Sequence, residues 1–280
     1  MADLNSRKRY RYSIDDNIEF LHDLGTNPDA YNSLFDHWYL AFWRRMHEEY
    51  GAKIHLNIYH QTVDGRFTLA QLPHKWRGEF EENSPWLHLS FHALQDKPDR
   101  YYRGTTYDQL ARDFELVMGE IRRFAGEAVI TRETTVHWAE APREACRALR
   151  DRGVDTLIAL FYTSPGGQVS TKYYLDQPTA EHIRGREAWH DYAEGFTFVD
   201  CDVVVNGVTL EEVVPSLEAR VADPHTGELL EMIIHEQYFR PELRYHQPDA
   251  QEKTERAIRW VTERGYEACF WGEGFLGAEE

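Results

Sequence analysis

A chain of 280 residues with 42% hydrophobic and 14% aromatic side chains can bury a large core, which excludes disorder as a global description. Its formal net charge of −17 repels phosphate backbones and anionic headgroups, so neither nucleic acid nor membrane is an expected partner, whereas a neutral or cationic small molecule or oligosaccharide is compatible. Three scattered cysteines, Cys146, Cys201 and Cys269, form no disulfide or zinc-knuckle pattern, and the polar start Met1 to Tyr12 has no apolar signal core, so a cytoplasmic protein without a membrane span is expected.

In chain order, Arg9 to Ile14 reads as a short strand ending in Asp15-Asp16-Asn17. A helix is predicted from Pro28 to Tyr50, with Asn27 as N-cap, Pro28 at its first position, and Leu34, Trp38, Phe42 and Met46 on one face. Gly51 ends it, and Lys53 to Tyr59 is the next strand. After an irregular stretch, Trp86 to Phe91 is a third strand and Tyr107 to Phe124 a helix stopped near Gly126. Ala128 to Ile130 and Thr134 to Trp138 are extended, Pro142 to Arg152 is helical, and Thr156 to Phe161 is again a strand. This alternation predicts an α/β fold with a parallel sheet.

At Gly166-Gly167 the pattern changes, and strands are predicted at Val169 to Tyr174 and Phe196 to Val205. Val205-Asn206-Gly207-Val208 carries a hairpin signature, and Asp200 and Asp202 are expected to face solvent or a turn. The alternation resumes with a strand at Glu231 to His235, a helix at Ala250 to Arg264 and a strand at Tyr266 to Trp271. One domain over residues 1–280 is expected, with a β-rich insertion at about 166–230 that covers the mouth of the fold or forms a contact in a homo-oligomer.

Several strands end in ionisable residues: Asp15-Asp16, His60, His92, His137 and His235-Glu236. In α/β barrels the active site is assembled at the C-terminal ends of the strands, and such residues at five successive strand ends make a constellation. Imidazole and carboxylate ligands suit zinc or a similar divalent ion, which lowers the pKa of a bound water toward ~7.

The order of these residues resembles the polysaccharide deacetylase family, the NodB-like carbohydrate esterases. Ser13-Ile14-Asp15-Asp16 matches its first motif, a histidine after the third strand its second, His137-Trp138-Ala139-Glu140-Ala141-Pro142 its third, and Ile234-His235 its last. The resemblance implies a distorted, incomplete (β/α) barrel of the seven-stranded type. It also implies hydrolysis of an N-acyl group on a sugar or related amide by metal-activated water. By that resemblance Asp15 would be the general base, Asp16 a metal ligand, and His235 the general acid or the group that orients the leaving group; His92 and His137 are expected to complete the ligand set, and Trp138 and Glu236 to contact substrate.

The second motif admits two registers. His88 and His92 have the family's four-residue spacing, but four residues of strand span roughly 13 Å, too far for two ligands of one ion. His92 with Asp96 in the following loop is the preferred pair. Asn17 stands where the family has glycine, and His137 where it has arginine. These departures keep open a catalytically silent barrel that binds carbohydrate or a protein partner, and a small-molecule amidohydrolase acting on a non-peptide C–N bond.

Overall fold

The computed structural model describes residues 8–273. The chain builds ten strands and eight α-helices among the described residues: β1 (Arg9–Asn17), α1 (Glu19–Thr26), α2 (Trp38–Tyr50), β2 (Ile54–Tyr59), α3 (Arg77–Glu82), β3 (Leu87–Ala93), α4 (Tyr107–Ala125), β4 (Glu133–Thr134) and α5 (Arg143–Arg150), followed by β5 (Thr156–Ala159), α6 (Gln177–Arg186), β6 (Ala188–Asp191), β7 (Phe196–Asp200), β8 (Val203–Val204), α7 (Val213–Val221), β9 (Leu229–His235), α8 (Ala250–Glu263) and β10 (Glu267–Ala268).

One sheet runs β3-β2-β1-β9-β8, all parallel, with β10 added beside the start of β1; the other runs β4-β5-β7-β6, with only β6 antiparallel. The sheets meet at a parallel bridge between Leu89 and Ile130, and again where the segment 196–204 pairs first with β5 and then with β9. The result is a mixed sheet flanked by helices in a barrel-like arrangement.

Side chains alternate along these strands. On β1, Tyr10, Tyr12 and Ile14 are buried, and Tyr12 packs on Trp43 of α2 and reaches Thr254 of α8. The alternate positions carry a polar series. Asp15 accepts from Asn57, Asn57 from Ser90, and Ser90 bonds His55; His55 in turn contacts Arg11, which pairs with Glu231. These groups are all buried, so each depends on the next for its hydrogen bonds.

Several sequence expectations change. The helix predicted from Pro28 begins at Trp38, and Asn27-Pro28 instead open a 3-10 turn. Ser33 and Asp36 form their own capping box, which closes a second turn before His37 caps α2. Trp38, expected on the buried face, is 40% exposed, because Tyr39, Trp43 and Met46 face the sheet. An unexpected helix, α1, precedes it.

No strand forms over Val169 to Tyr174 beyond a bridge between Thr163 and Val169, since Gly167 turns the chain and Tyr173 takes a positive φ. The predicted strand Phe196 to Val205 divides at Cys201-Asp202 as it changes sheets. Asn206-Gly207 makes a 3-10 turn toward α7, not a hairpin, because Asn206 is recruited by His235. Residues 166–230 contain two α-helices, and β7 and β8 continue the parallel pairing that the sequence pattern breaks there.

Neither aspartate faces solvent: Asp200 is buried and bonds Arg184 at 2.8 Å, and Asp202, half-buried with its side chain covered, pairs with Arg220 and accepts from the backbone of Glu231 at 2.7 Å. No helix among the described residues is long and apolar enough to cross a membrane.

Candidate metal centre

β1 ends in an irregularity. Its pairing with β2 shifts register between Ile14 and Asn17, and Asp16 takes a left-handed conformation with φ of 63°. Aspartate tolerates this region better than most residues. In a regular strand Asp15 and Asp16 would point to opposite faces; the shift lets both line one cavity of about 430 Å³. His92 enters from the end of β3, His137 from the turn after β4, and His235 from the end of β9.

Asp16, His92 and His137 form a buried cluster whose ligand atoms all lie within 4.8 Å of one another. Asp16 Oδ1 is 3.1 Å from His92 Nε2 and 3.8 Å from His137 Nε2. Donors about 2 Å from a tetrahedral ion stand roughly 3.3 Å apart, so this donor set fits a divalent metal. Two further features agree. His92 Nδ1 donates to the carbonyl of Thr135, which fixes the ring with Nε2 facing Asp16. His137 Nδ1 is buried without a hydrogen-bond partner, and its close approaches to Asp16 and Asp96 are both made by Nε2. Tyr59 donates to Asp16 Oδ1 and orients it.

The electrostatics separate the aspartates. Burial pushes the Asp15 carboxyl up, with Asp16 adding to the effect and His92, His235 and the Asn57 amide opposing it. Burial acts in the same direction on Asp16, but the hydrogen bond to His92 and the charges of His235, His92 and His137 together hold it well below the usual range. Burial lowers His137 to about 3, with His92 adding to the fall, so it stays a neutral donor near neutral pH.

Asp15 lies beside the cluster, with Oδ2 4.0 Å from His92 Nε2 and Oδ1 accepting from Asn57 at 2.5 Å. His235 lines the same cavity, and its Nδ1 donates to Asn206 at 2.9 Å. Asp96 also lines it, 3.6 Å from His137 Nε2. His88 is remote: it stacks on Phe270 at 3.6 Å and lies at the opposite end of β3 from His92. Trp138 sits on the cavity wall, 42% exposed with φ of 66°.

Glu236 does not reach the cavity. Its carboxylate accepts from the backbone of Ile18, Glu19 and Phe20 at 2.7–2.9 Å and caps α1, a helix that has no capping side chain of its own. His60 likewise stays outside, and β2 sends Asn57 and Tyr59 to the site in its place. Neither residue stood out in the sequence. Their alternation with Ile58 on a strand whose His60 was already noted was the available signal.

No protein-family model matches this sequence, and neither does any curated protein. Solved structures do share the fold. A 4-alpha-glucanotransferase from Thermococcus litoralis superposes with a TM-score of 0.58 at 11% identity, over 95% of this chain and 40% of that one. The chain thus spans less than half the length of that enzyme. A proposed polysaccharide deacetylase from Mycobacterium smegmatis gives a TM-score of 0.52 at 12% identity, over 95% of this chain and 88% of that one. At these identities the likeness establishes a shared barrel-type α/β fold.

Proposed function

We propose that the protein is a metal-dependent hydrolase that removes an acyl group from an N-acylated sugar or a related small amide. The arrangement that carries this reading is the buried trio Asp16, His92 and His137, with Asp15 held beside it by Asn57. The fold shared with a proposed polysaccharide deacetylase, and the order of the motifs along the chain, support the same class. We read the barrel as the incomplete seven-stranded type.

Asp16, His92 and His137 would hold the ion, and two imidazoles with one carboxylate favour zinc. A divalent ion there supplies Lewis acidity toward water and the substrate carbonyl. Asp15 is the base: one carboxylate oxygen is fixed by Asn57, the other faces the cluster, and its raised proton affinity suits proton abstraction. His235, oriented by Asn206, delivers a proton to the leaving amine. Trp138 offers a ring face to the substrate.

A cavity of about 430 Å³ has the size of a small-molecule site, and this favours a compact amide over a long polymer. The decisive experiment measures zinc content and release of acetate from N-acetyl sugars and small N-acyl amides, before and after chelation. Hydrolysis that disappears on chelation and returns with zinc is expected; protein that neither binds a transition metal nor hydrolyses any amide would overturn the reading.

A further inference from the structure

The cavity wall holds a cation that the hydrolytic scheme does not use. Lys172 lies in the segment after β5 and lines the same cavity as Asp15 and Asp16. Its place is fixed by the backbone around it. The Tyr173 N–H donates to the carbonyl of Ala139 at 2.8 Å, and the Tyr173 hydroxyl donates to the carbonyl of Ile158, on β5, at 2.9 Å. Ser170 and Tyr162 are hydrogen-bonded to each other across the turn, 2.9 Å between the Ser170 nitrogen and the Tyr162 carbonyl. The lysine is therefore presented to the cavity by an ordered loop on the sheet opposite to that of β1.

Among the described residues the Lys172 ammonium forms no hydrogen bond and no ion pair, and it lies over the Tyr162 ring, 5.8 Å away. The other cations near the mouth are engaged. Lys97 pairs with Asp99 at 2.5 Å and Asp96 at 3.5 Å, and Arg100 pairs with Glu140 at 2.6 Å while covering Trp138. Glu140 is the carboxylate whose field reaches Lys172; Arg100 holds its Oε1, and its buried Oε2 makes no hydrogen bond to Lys172 or to any other described residue. In a chain with 48 acidic against 31 basic side chains, a counter-ion for Lys172 would be easy to supply from the protein. Burial disfavours its charge, so a neutral substrate would leave a partly desolvated ammonium without a partner.

We infer that Lys172 is a specificity-determining residue that binds an anionic group on the substrate, so that the preferred substrate is an N-acyl compound also carrying a carboxylate or phosphate. This rests on the hydrolase reading for the acyl group but not for the anion. The remaining wall agrees with a compact ring or chain joining the two: Ile158, Leu160 and Ile233 are apolar, and Tyr162 offers an exposed aromatic face. A charge-assisted hydrogen bond to a partly buried ammonium is strong enough to select the anion over a neutral analogue by about tenfold or more.

The test uses three matched probes on the zinc-loaded protein: N-acetylglucosamine, N-acetylmuramic acid and N-acetylglucosamine 6-phosphate. Binding is read by calorimetry and turnover by initial rates, for the unaltered chain, Lys172→Met and Lys172→Arg. One or both anionic probes should exceed the neutral one by about tenfold or more in affinity and in kcat/KM. Which of the two does so distinguishes carboxylate from phosphate. Lys172→Met should collapse that ratio and Lys172→Arg should retain most of it. A ratio near one in the unaltered chain, or a ratio that survives in Lys172→Met, overturns the inference. Anion-selective binding that depends on Lys172 without any hydrolysis would retain the anion site and remove the hydrolase reading. Hydrolysis indifferent to charge would do the reverse.

Discussion

Asp15 and His235 are register partners across the parallel pairing of β1 and β9, although 220 positions separate them in the chain. Neighbouring parallel strands lie about 4.8 Å apart, so this one pairing sets the proposed base and the proposed acid side by side at the cavity floor. Asp16, one residue on, escapes the alternation through its left-handed backbone and joins the histidine cluster. A hydrolytic site of this kind needs the two aspartates to do different work, and that backbone irregularity separates them.

The metal ligands and the proton-transfer groups should separate experimentally. Asp16→Asn, His92→Ala and His137→Ala are each expected to lower zinc content after dialysis, by more than the roughly 10- to 100-fold in affinity that loss of a ligand's supporting partner costs, with hydrolysis lost in parallel. Asp15→Asn should keep its zinc while kcat falls by about 10²- to 10⁴-fold. Metal analysis beside steady-state rates checks this; a metal-free Asp15→Asn protein would contradict the assignment.

Asn57 is a positioning residue. Its amide donates to Asp15 and its carbonyl accepts from Ser90. Asn57→Ala should leave metal content unchanged, lower kcat by roughly tenfold or more, and shift the acidic limb of the kcat/KM pH profile upward, because the hydrogen bond that stabilises the Asp15 carboxylate is gone. An unaltered pH profile would reduce Asn57 to a packing role.

Arg11 is fully buried between Glu231 and Glu133, 3.7 Å from the latter, and also contacts His55. Removing one member of a buried ionic network strands the others, so Arg11→Met is expected to cost about 3–5 kcal/mol in urea denaturation. Removing the charges together, as in Arg11→Met with Glu231→Gln, should recover part of that loss. Equal stability of the single and double variants would show the network to be energetically slack.

The carboxyls of Glu187, Asp200 and Asp202 share Arg220 and are all pushed above their ordinary range by burial; the charge of Asp202 raises Glu187 and Asp200 further, Asp200 to about 7. A folded-state pKa above the unfolded value means that the folded state binds more protons. The contribution of Asp200 is then fully present below about pH 4 and lost as pH rises through about 7. Asp200→Asn should flatten the fall in unfolding free energy between about pH 4 and pH 7, by on the order of a few kcal/mol. Parallel stability curves for the two proteins would contradict this.

The strand ends were legible in the sequence because each is a run of apolar alternation stopped by an ionisable residue: Ile14 before Asp15, Phe91 before His92, Ile234 before His235. Strand spacing alone also separated His88 from His92, and the structure places them at opposite ends of β3. Glu236 was misread because a carboxylate beside a strand-end histidine looks the same whether it faces a cavity or caps a helix. That choice depends on α1, which lies 217 residues away along the chain and had no visible capping residue. The region 166–230 was misread for a related reason. Its strands are short, and their parallel partners β5 and β9 lie on either side of it in sequence.

The sequence by itself determined the α/β alternation, the first aspartate pair and the histidines that meet it, since these depend on local periodicity and on what stops it. Only the tertiary structure decided that both aspartates face one cavity, that Asn57 and Tyr59 support them, and that Lys172 stands on the same wall without a counter-ion. Those facts follow from a register shift and from contacts between strands far apart in the chain, and neither leaves a mark in local residue order.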